Sequence, residues 1–140
     1  MTKLVVDASV AFEWAVPEAH GAEARRLLGG AYELWAPDLL LAECGNALWK
    51  RVRRGEMTRT EAEAALSLLG RAPVQVRAHW PLTQMAMAVA CQIGCSVYDG
   101  LYLALAAYER VQLVTADRKL LAAVSTGPLA GNIVWVADLA

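Results

Sequence analysis

Short apolar runs alternate with longer stretches of helical periodicity along the chain. Five runs rich in Val, Leu, Ile and Trp predict buried β-strands over Lys3–Val6, Tyr32–Ala36, Val74–Val76, Gln112–Thr115 and Ile133–Val136. The stretches between them predict helices over Ser9–Val16, Ala19–Leu28, Asp38–Arg54, Thr58–Gly70, Leu82–Ile93, Asp99–Arg110 and Arg118–Val124. Strands that alternate with helices are typical of a three-layer α/β/α sandwich around a mostly parallel sheet.

The composition indicates one domain with an excess of apolar surface. The 140 residues suit a single domain, which we expect to span 1–140, and 57% of them are hydrophobic. A chain this short has a limited interior, so we expect part of its apolar surface to face a partner. The formal net charge of −1 excludes a global electrostatic attraction to nucleic acid, although it leaves room for a local basic patch.

Cysteine and histidine are too few and too scattered for several common chemistries. Cys44, Cys91 and Cys95 are an odd number of thiols without a C-x-x-C pair, which argues against a disulfide framework and a cysteine-rich zinc site. His20 and His79 do not form an H-E-x-x-H motif. Acids interrupt the apolar N-terminus, and the weakly polar run 81–98 contains a turn. We therefore expect a cytoplasmic protein without a signal peptide or a membrane span.

Four carboxylates occupy positions that are unusual for surface acids. Asp7 and Asp117 each follow a predicted strand. Asp99 opens an apolar helix, and Glu43 lies between apolar neighbours inside another helix. Taken singly, each aspartate is also explained as a helix cap or turn residue, and Glu43 as a solvent-facing side chain.

Together the four acids indicate a metal-dependent hydrolase. Ligands of open α/β sheets bind at the carboxyl ends of the strands, where these side chains could converge. Close carboxylates repel one another unless a cation lies between them, and oxygen ligands favour Mg²⁺ or Mn²⁺. A metal-activated water is suited to phosphodiester hydrolysis. Ser9, Asn46 and Thr115 could orient carboxylates or waters, although Ser9 and Thr115 could equally serve as cap or turn residues.

Four segments that contain these acids resemble the PIN-domain family, in particular the VapC-type toxins of toxin–antitoxin pairs. They are V-V-D-A-S (Val5–Ser9), P-D-L-L-L-A-E-C-G-N (Pro37–Asn46), S-V-Y-D-G-L-Y-L-A-L-A (Ser96–Ala106) and V-T-A-D-R-K-L (Val114–Leu120). They span nearly the whole chain in the order that the family shows. Gly45 and Gly100 stand in helices where alanine is common, but neither replaces an acid.

The resemblance implies a fold, an activity and a set of partners. The fold is a parallel five-stranded sheet of order 3-2-1-4-5, in which the first and fourth strands end side by side. The activity is that of an Mg²⁺- or Mn²⁺-dependent endoribonuclease with an acidic site of Asp7, Glu43, Asp99 and Asp117, in which Asp7, Asp99 and Asp117 hold the metal. The partners are an RNA substrate, a co-expressed antitoxin and a second copy of the chain.

Basic and aromatic residues supply candidate contacts for RNA and for partners. The helix that carries Glu43 ends in four basic residues, Lys50, Arg51, Arg53 and Arg54. They either contact the RNA backbone or complement the helix dipole. Three tryptophans in apolar runs are expected in the core, namely Trp14, Trp35 and Trp135. Trp49 and Trp80 are candidates for an interface.

Other functions fit parts of the pattern. A PIN nuclease of housekeeping RNA processing would use the same chemistry, and a catalytically silent binding module would share the fold. A receiver domain requires two adjacent acids after its first strand, where V-V-D-A-S has one. A haloacid-dehalogenase-type phosphatase requires D-x-D, where Ser9 replaces the second acid. Small size and apolar excess favour the toxin, because it must present a large surface to its antitoxin.

Overall fold

Five parallel strands form one sheet in the computed structural model, which describes residues 1–139. The strands are β1 (Thr2–Val6), β2 (Tyr32–Pro37), β3 (Val74–Arg77), β4 (Gln112–Thr115) and β5 (Ile133–Trp135). Their order is β3-β2-β1-β4-β5, which confirms the predicted topology. The register places Val6 beside Val114, so β1 and β4 end next to each other in the middle of the sheet.

Helices cover both faces of the sheet. Within residues 1–139 they are α1 (Ala8–Ala15), α2 (Gly21–Arg26), α3 (Leu40–Arg53), α4 (Arg59–Gly70), α5 (Thr83–Ile93), α6 (Val97–Glu109) and α7 (Arg118–Ser125). Helix α1 contacts α2, α3 and α4, whereas α5 packs along α6, which crosses β1, β2 and β4. Because connections between parallel strands are right-handed, these two groups lie on opposite faces, and the three-layer sandwich is confirmed.

Helix α6 lies deep in the core. Its residues from Gly100 to Ala106 are all buried. A Cβ atom at Gly100 would lie 2.5 Å from the carbonyl oxygen of Ala86 on α5, so the absence of a side chain permits the close contact of the two helices. A Cβ atom at Gly45 would lie 3.6 Å from the nearest atom of Leu66, which is ordinary van der Waals contact.

Helices α2, α3 and α6 each begin two residues away from the predicted start, and at α3 and α6 the difference involves an aspartate. Helix α3 begins two residues after Asp38, whose carboxylate instead accepts the backbone N–H of His79 at 3.1 Å and contacts its ring nitrogen at 2.6 Å. Helix α6 is capped by Ser96, whose Oγ accepts the N–H of Asp99 at 3.1 Å. Asp99 is therefore the third residue of α6, and its interpretation as the cap is wrong.

The tryptophans divide between core and surface. Trp14 and Trp135 are buried as predicted, and Trp35 is half-buried. Trp49 and Trp80 are exposed, the latter to 83%.

In the part of the chain that the structure describes, no single helix is long and apolar enough to cross a membrane. The segment Trp80–Ile93 reaches that length and composition only together with α6, from which it is bent by 110°.

Candidate active site

The candidate site lies where β1 and β4 end beside each other. Asp7 directly follows β1, and its backbone N–H donates to the carbonyl oxygen of Val114 at 3.0 Å. Asp117 follows β4 and begins α7. The parallel pairing therefore brings two of the predicted carboxylates to one edge of the sheet, although they lie near opposite ends of the sequence.

Asp7 is the buried centre of this site. It is 5% exposed, and its Oδ2 accepts hydrogen bonds from Ser9 Oγ at 2.5 Å and Thr115 Oγ1 at 3.0 Å. Burial raises the pKa of this carboxyl from 3.8 to about 6, and the charges of Asp99 and Asp117 add to the rise. Within residues 1–139 the Asp7 side chain makes no capping hydrogen bond to α1, so capping does not explain it.

Two hydroxyl groups fasten Asp7 to the segment after β4. Ser9 Oγ accepts the backbone N–H of Ala116 at 3.0 Å, and Thr115 Oγ1 accepts that of Asp117 at 3.0 Å. Each hydroxyl thus receives one hydrogen bond from the backbone and donates its own proton to Asp7. The structure brings both residues to the position that an orienting role requires.

Asp117 is both a helix cap and a member of the acidic cluster. Its Oδ1 accepts the backbone N–H groups of Lys119 at 3.0 Å and Leu120 at 3.2 Å. In the described residues Oδ2 has no hydrogen-bond partner, so capping leaves one oxygen for a ligand. Half-buried Asp99 lies near enough for burial and the charge of Asp117 to raise its pKa.

Glu43 is held by a tyrosine that was not among the residues predicted from the sequence. Tyr102 on α6 is 1% exposed and donates its phenolic proton to Glu43 Oε1 at 2.7 Å. Burial raises the pKa of Glu43, the hydrogen bond lowers it, and the charges of Asp7 and Asp99 raise it. The sequence places Tyr102 three residues after Asp99 and so on the same face of α6, but it does not show that α3 brings Glu43 to this face.

The four carboxylates form one cluster of negative charge, and every atom that they offer to a metal ion is oxygen. Within residues 1–139, no group of three His, Cys, Asp or Glu side chains is gathered closely enough to enclose a metal ion. The expected ligands Asp7, Asp99 and Asp117 therefore do not form a closed shell of carboxylates. Mg²⁺ typically takes one or two carboxylates and retains several waters, so a site for this ion does not require three carboxylates in one closed group.

Two cavities adjoin Glu43. One, of about 570 Å³, lies between α1, α3 and the end of β5. The other, of about 500 Å³, is lined by Asn46, Lys50 and Tyr98. Asn46 is exposed and makes no hydrogen bond within the described residues, so it lies beside Glu43 without orienting it. Its amide is available to a ligand in the second cavity.

The four basic residues at the end of α3 separate into two groups. Lys50, Arg53 and Arg54 are exposed and line a cavity of about 320 Å³ together with Trp49. Arg51 instead forms ion pairs with two acids and lies over an aromatic ring, and these partners are Glu18, Glu56 and Phe12. Three of the four predicted RNA contacts are therefore accessible, whereas Arg51 is engaged in contacts within the protein.

Glu13 is a second residue that was not predicted to belong near the site. It is 5% exposed on α1, and its Oε1 accepts the backbone N–H groups of Glu18 at 3.2 Å and His20 at 2.8 Å. These bonds fix the segment between α1 and α2, which forms one wall of the larger cavity.

Comparison with known proteins decides the family. Residues 4–125 match the PIN domain. The chain belongs to the PIN-domain family. Ribonuclease VapC3 of Pyrobaculum aerophilum is 38% identical over 120 residues, which cover 84% of this chain and 92% of that protein. Ribonuclease VapC1 of Mycobacterium tuberculosis is 38% identical over 90 residues, which cover 63% of this chain and 65% of that protein. The chain is thus a VapC-type PIN ribonuclease, as its motifs predicted.

Solved structures show the same PIN fold. The crystal structure of PAE2754 from Pyrobaculum aerophilum matches with a TM-score of 0.73 and 28% identity, over 97% of this chain and 90% of that one. VapC20 of Mycobacterium tuberculosis, described as a sarcin-ricin loop cleaving toxin, matches with a TM-score of 0.66 over 86% of this chain and 94% of that one. At 20% identity, the VapC20 match shows the shared fold alone.

Proposed function

We propose that this PIN domain is a metal-dependent endoribonuclease and the toxin of a VapBC-type toxin–antitoxin pair. The supporting observation is Asp7, a buried carboxyl whose pKa is raised to about 6 within electrostatic reach of Asp99 and Asp117. Such crowding of like charges destabilises a fold unless a positive ligand offsets it. The relatives named ribonuclease support RNA as the substrate.

Mg²⁺ or Mn²⁺ is the cation that fits this set of oxygen donors. Asp7, Asp99 and Asp117 would hold it, directly or through its waters. Such an ion, when bound, lowers the pKa of water and stabilises the charge that develops on a phosphodiester.

The remaining chemistry belongs to Glu43 and the groups that hold the carboxylates. Tyr102 occupies Oε1 of Glu43, so Oε2 is the oxygen left to orient a water and accept its proton. The raised pKa of Glu43 makes it a better proton acceptor than an ordinary glutamate. Ser9 and Thr115 keep Asp7 in place. Attack by water at phosphorus then leaves a 5′-phosphate and a 3′-hydroxyl.

The RNA backbone is proposed to follow α3 away from the acids. Lys50 lines the same cavity as Glu43, and Arg53 and Arg54 continue the basic surface along the helix. Side chains of this kind, together with the Asn46 amide, are typical contacts to phosphate. Because the net charge of the chain is −1, this local patch must supply the attraction, and binding will weaken steeply with salt.

Exposed apolar side chains support the proposed protein partners. A groove of about 310 Å³ between α3 and α4 is suited to the apolar face of an antitoxin helix, and its apolar lining includes Leu48, Trp49, Val52 and Leu66. A second set lies on the edge strand β3, the loop after it and α5, namely Val76, Trp80, Met85 and Met87. We propose that a second copy of the chain covers this set. Toxin, antitoxin and RNA would meet in the cytoplasm.

Cleavage of purified RNA in Mg²⁺ and in EDTA tests the function. Wild type and the surface variant Asp138→Asn should produce fragments with 5′-phosphate ends in Mg²⁺, whereas Asp7→Asn or EDTA should abolish them. Full cleavage in EDTA, or 2′,3′-cyclic phosphate ends, would contradict the proposal. Inhibition by the product of a neighbouring small reading frame distinguishes a toxin from a housekeeping nuclease.

A further inference from the structure

The larger cavity beside Glu43 has features that hydrolysis does not use. Its volume of about 570 Å³ lies in the range of ligand sites in proteins, about 300–1,000 Å³. Ser9 and Glu43 of the acidic cluster line it, and so do His20, Arg118 and Trp135. The cavity is therefore continuous with the place where the phosphodiester would be cleaved.

Planar groups form one side of this cavity. The guanidinium of Arg118 lies over the indole of Trp135, 4.4 Å from the ring centroid. The ring of His20 meets the same indole edge-on, with centroids 5.0 Å apart and an interplanar angle of 84°. Within residues 1–139 Arg118 has no carboxylate partner at ion-pair distance, so its N–H groups and its charge are available to a ligand.

A buried carboxylate supplies the complementary group. Glu13 lines the cavity and is 5% exposed. Its Oε1 accepts the two backbone N–H groups described above, and in the described residues Oε2 has no hydrogen-bond partner. This oxygen is not fully enclosed by protein, so it faces the open cavity and is available to accept a hydrogen bond from a ligand.

We propose that this cavity binds one unpaired nucleobase of the RNA, adjacent to the scissile phosphate, and sets the base preference of cleavage. The proposal rests on the proposed function. Unpaired bases stack on aromatic rings and on guanidinium planes, and the cavity offers the half-buried ring of His20 and the exposed guanidinium of Arg118, both of which contact Trp135. Base edges carry donors and acceptors together, which matches a cavity with the donor Arg118 and the acceptor Glu13. Because Ser9 and Glu43 share the cavity, the bound base belongs to a nucleotide that flanks the cleaved bond.

The walls are held in place before any ligand binds. Glu13 fixes the loop that carries Glu18 and His20, and Glu18 is paired with Arg51 on α3. Arg51 in turn lies over the ring of Phe12, 5.4 Å from its centroid. A preformed cavity loses little freedom on binding, so single nucleotides are suitable probes.

Base binding can be measured without cleavage. The whole chain, ¹⁵N-labelled and in EDTA, is titrated with the four nucleoside 5′-monophosphates and with ribose 5-phosphate, which lacks a base. The indole N–H signal of Trp135, assigned with Trp135→Phe, should move with at least one nucleotide, while that of exposed Trp80 stays fixed. The proposal is overturned if ribose 5-phosphate shifts the Trp135 signal as much as the nucleotides do, or if no nucleotide shifts it. It is also overturned if this signal shifts only when an antitoxin is added.

Cleavage of short RNAs gives an independent readout. Each base, or an abasic site, is placed at the nucleotides on either side of the cleaved bond, and stacking predicts a preference of about 5- to 100-fold for one base. Arg118→Ala and Glu13→Gln should flatten this preference while the abasic substrate is cleaved at the same rate. Arg71→Ala removes an exposed arginine on the C-terminal side of α4 and should leave the preference unchanged.

The two proposals fail in different ways. If nucleotides shift the Trp135 signal but the protein cleaves no RNA, the proposed function is contradicted and the base site is supported. Cleavage without base preference, together with a fixed Trp135 signal, would remove the base site and keep the nuclease. Thermal melts of each variant confirm that the folded chain is being compared.

Discussion

The phenol of Tyr102 donates a 2.7 Å hydrogen bond to Oε1 of Glu43, across 59 residues of sequence. Burial and the charge of Glu43 raise the pKa of the Tyr102 phenol far above its usual value, so the tyrosine remains the donor. This bond offsets part of the cost of burying Glu43 beside Asp7 and Asp99. It also leaves a single carboxylate oxygen of Glu43 free for chemistry.

Tyr102→Phe should slow RNA cleavage by about 2- to 10-fold, the worth of one hydrogen bond. The bond lowers the pKa of Glu43, so its loss raises that pKa and moves the acidic limb of the pH–rate profile to higher pH. Tyr108→Phe, on the exposed side of the same helix, is the matched control. An unshifted pH profile in Tyr102→Phe would show that Glu43 does not titrate in the reaction.

Asp7 should make the metal-free protein less stable as pH rises. Its pKa is about 6 in the folded state against 3.8 for an ordinary aspartate, so the folded state holds the proton more tightly. The free energy of unfolding therefore falls between roughly pH 4 and pH 6, by at most about 3 kcal/mol. Asp7→Asn removes this dependence, because the amide stays neutral.

Urea unfolding in EDTA at pH 4 and pH 7.5 measures the effect. We expect wild type and Asp7→Asn to be similar at pH 4, and the variant to be more stable at pH 7.5. Added Mg²⁺ should stabilise wild type and not the variant. A difference between the two proteins that is the same at both pH values would rule out titration of Asp7 as its source.

Asp99→Asn and Ser96→Ala should separate catalysis from helix capping. Ser96 caps α6, whereas Asp99 is the third residue of that helix. Ser96→Ala should lose about 1 kcal/mol of stability and keep most of its cleavage rate, because it loses the cap and the Ser96 hydroxyl beside the Asp99 carboxyl but retains the carboxyl itself. Asp99→Asn should keep its melting temperature and lose cleavage. The site assignment would fail if Asp99→Asn cleaved RNA as fast as wild type.

Alanine at the two helical glycines should have opposite effects on stability. Gly100→Ala places a methyl group 2.5 Å from the carbonyl oxygen of Ala86, and we expect a loss of about 1–3 kcal/mol. Gly45→Ala meets only ordinary contacts and should gain up to about 1 kcal/mol from helix propensity. Chemical denaturation of the two variants decides the matter, and a stabilised Gly100→Ala would disprove the close contact of α5 with α6.

An antitoxin should inhibit by placing a basic residue, expected to be arginine, among the four carboxylates. A guanidinium can bind two carboxylate oxygens at once and would compete with the metal for them. Replacing that arginine by alanine should weaken inhibition, and raising Mg²⁺ should partly restore cleavage by the complex. Equal inhibition without any such residue, at every metal concentration, would mean that the antitoxin only covers the RNA path.

The strands and the order of the sheet were predictable because their signals are local or carried by motifs. Unbroken apolar runs such as Leu4–Val6 are buried on both faces of a parallel sheet. Each run therefore predicts a strand without information from the rest of the chain. The helix starts were less predictable, since Asp38 and Asp99 are as suitable for a cap as Ser96 is. Which residue becomes the cap depends on tertiary partners, as His79 shows by engaging Asp38.

The acids of the candidate site were also visible from the sequence, but their supporting contacts were not. In the sequence, Tyr102 resembles the other apolar residues of α6. Its bond to Glu43 depends on how α3 and α6, which are distant along the chain, approach each other. Glu13 reads as a polar residue on a short helix, whereas the fold buries it under the loop that it anchors. Contacts of this kind follow from packing, which one-dimensional patterns do not encode.

The hydroxyl of Thr115 has a consequence for folding. Its hydrogen bond joins Asp7 to a residue that lies 108 positions further along the chain. The entropy of loop closure opposes contacts between such distant residues, and this contact is made only when β1 pairs with β4. Before that pairing forms, Asp7 keeps the nearby Ser9 hydroxyl but lacks Thr115 and the neighbouring carboxylate of Asp117. The acidic site therefore assembles together with the centre of the sheet, and a chain in which β4 is detached has no complete site.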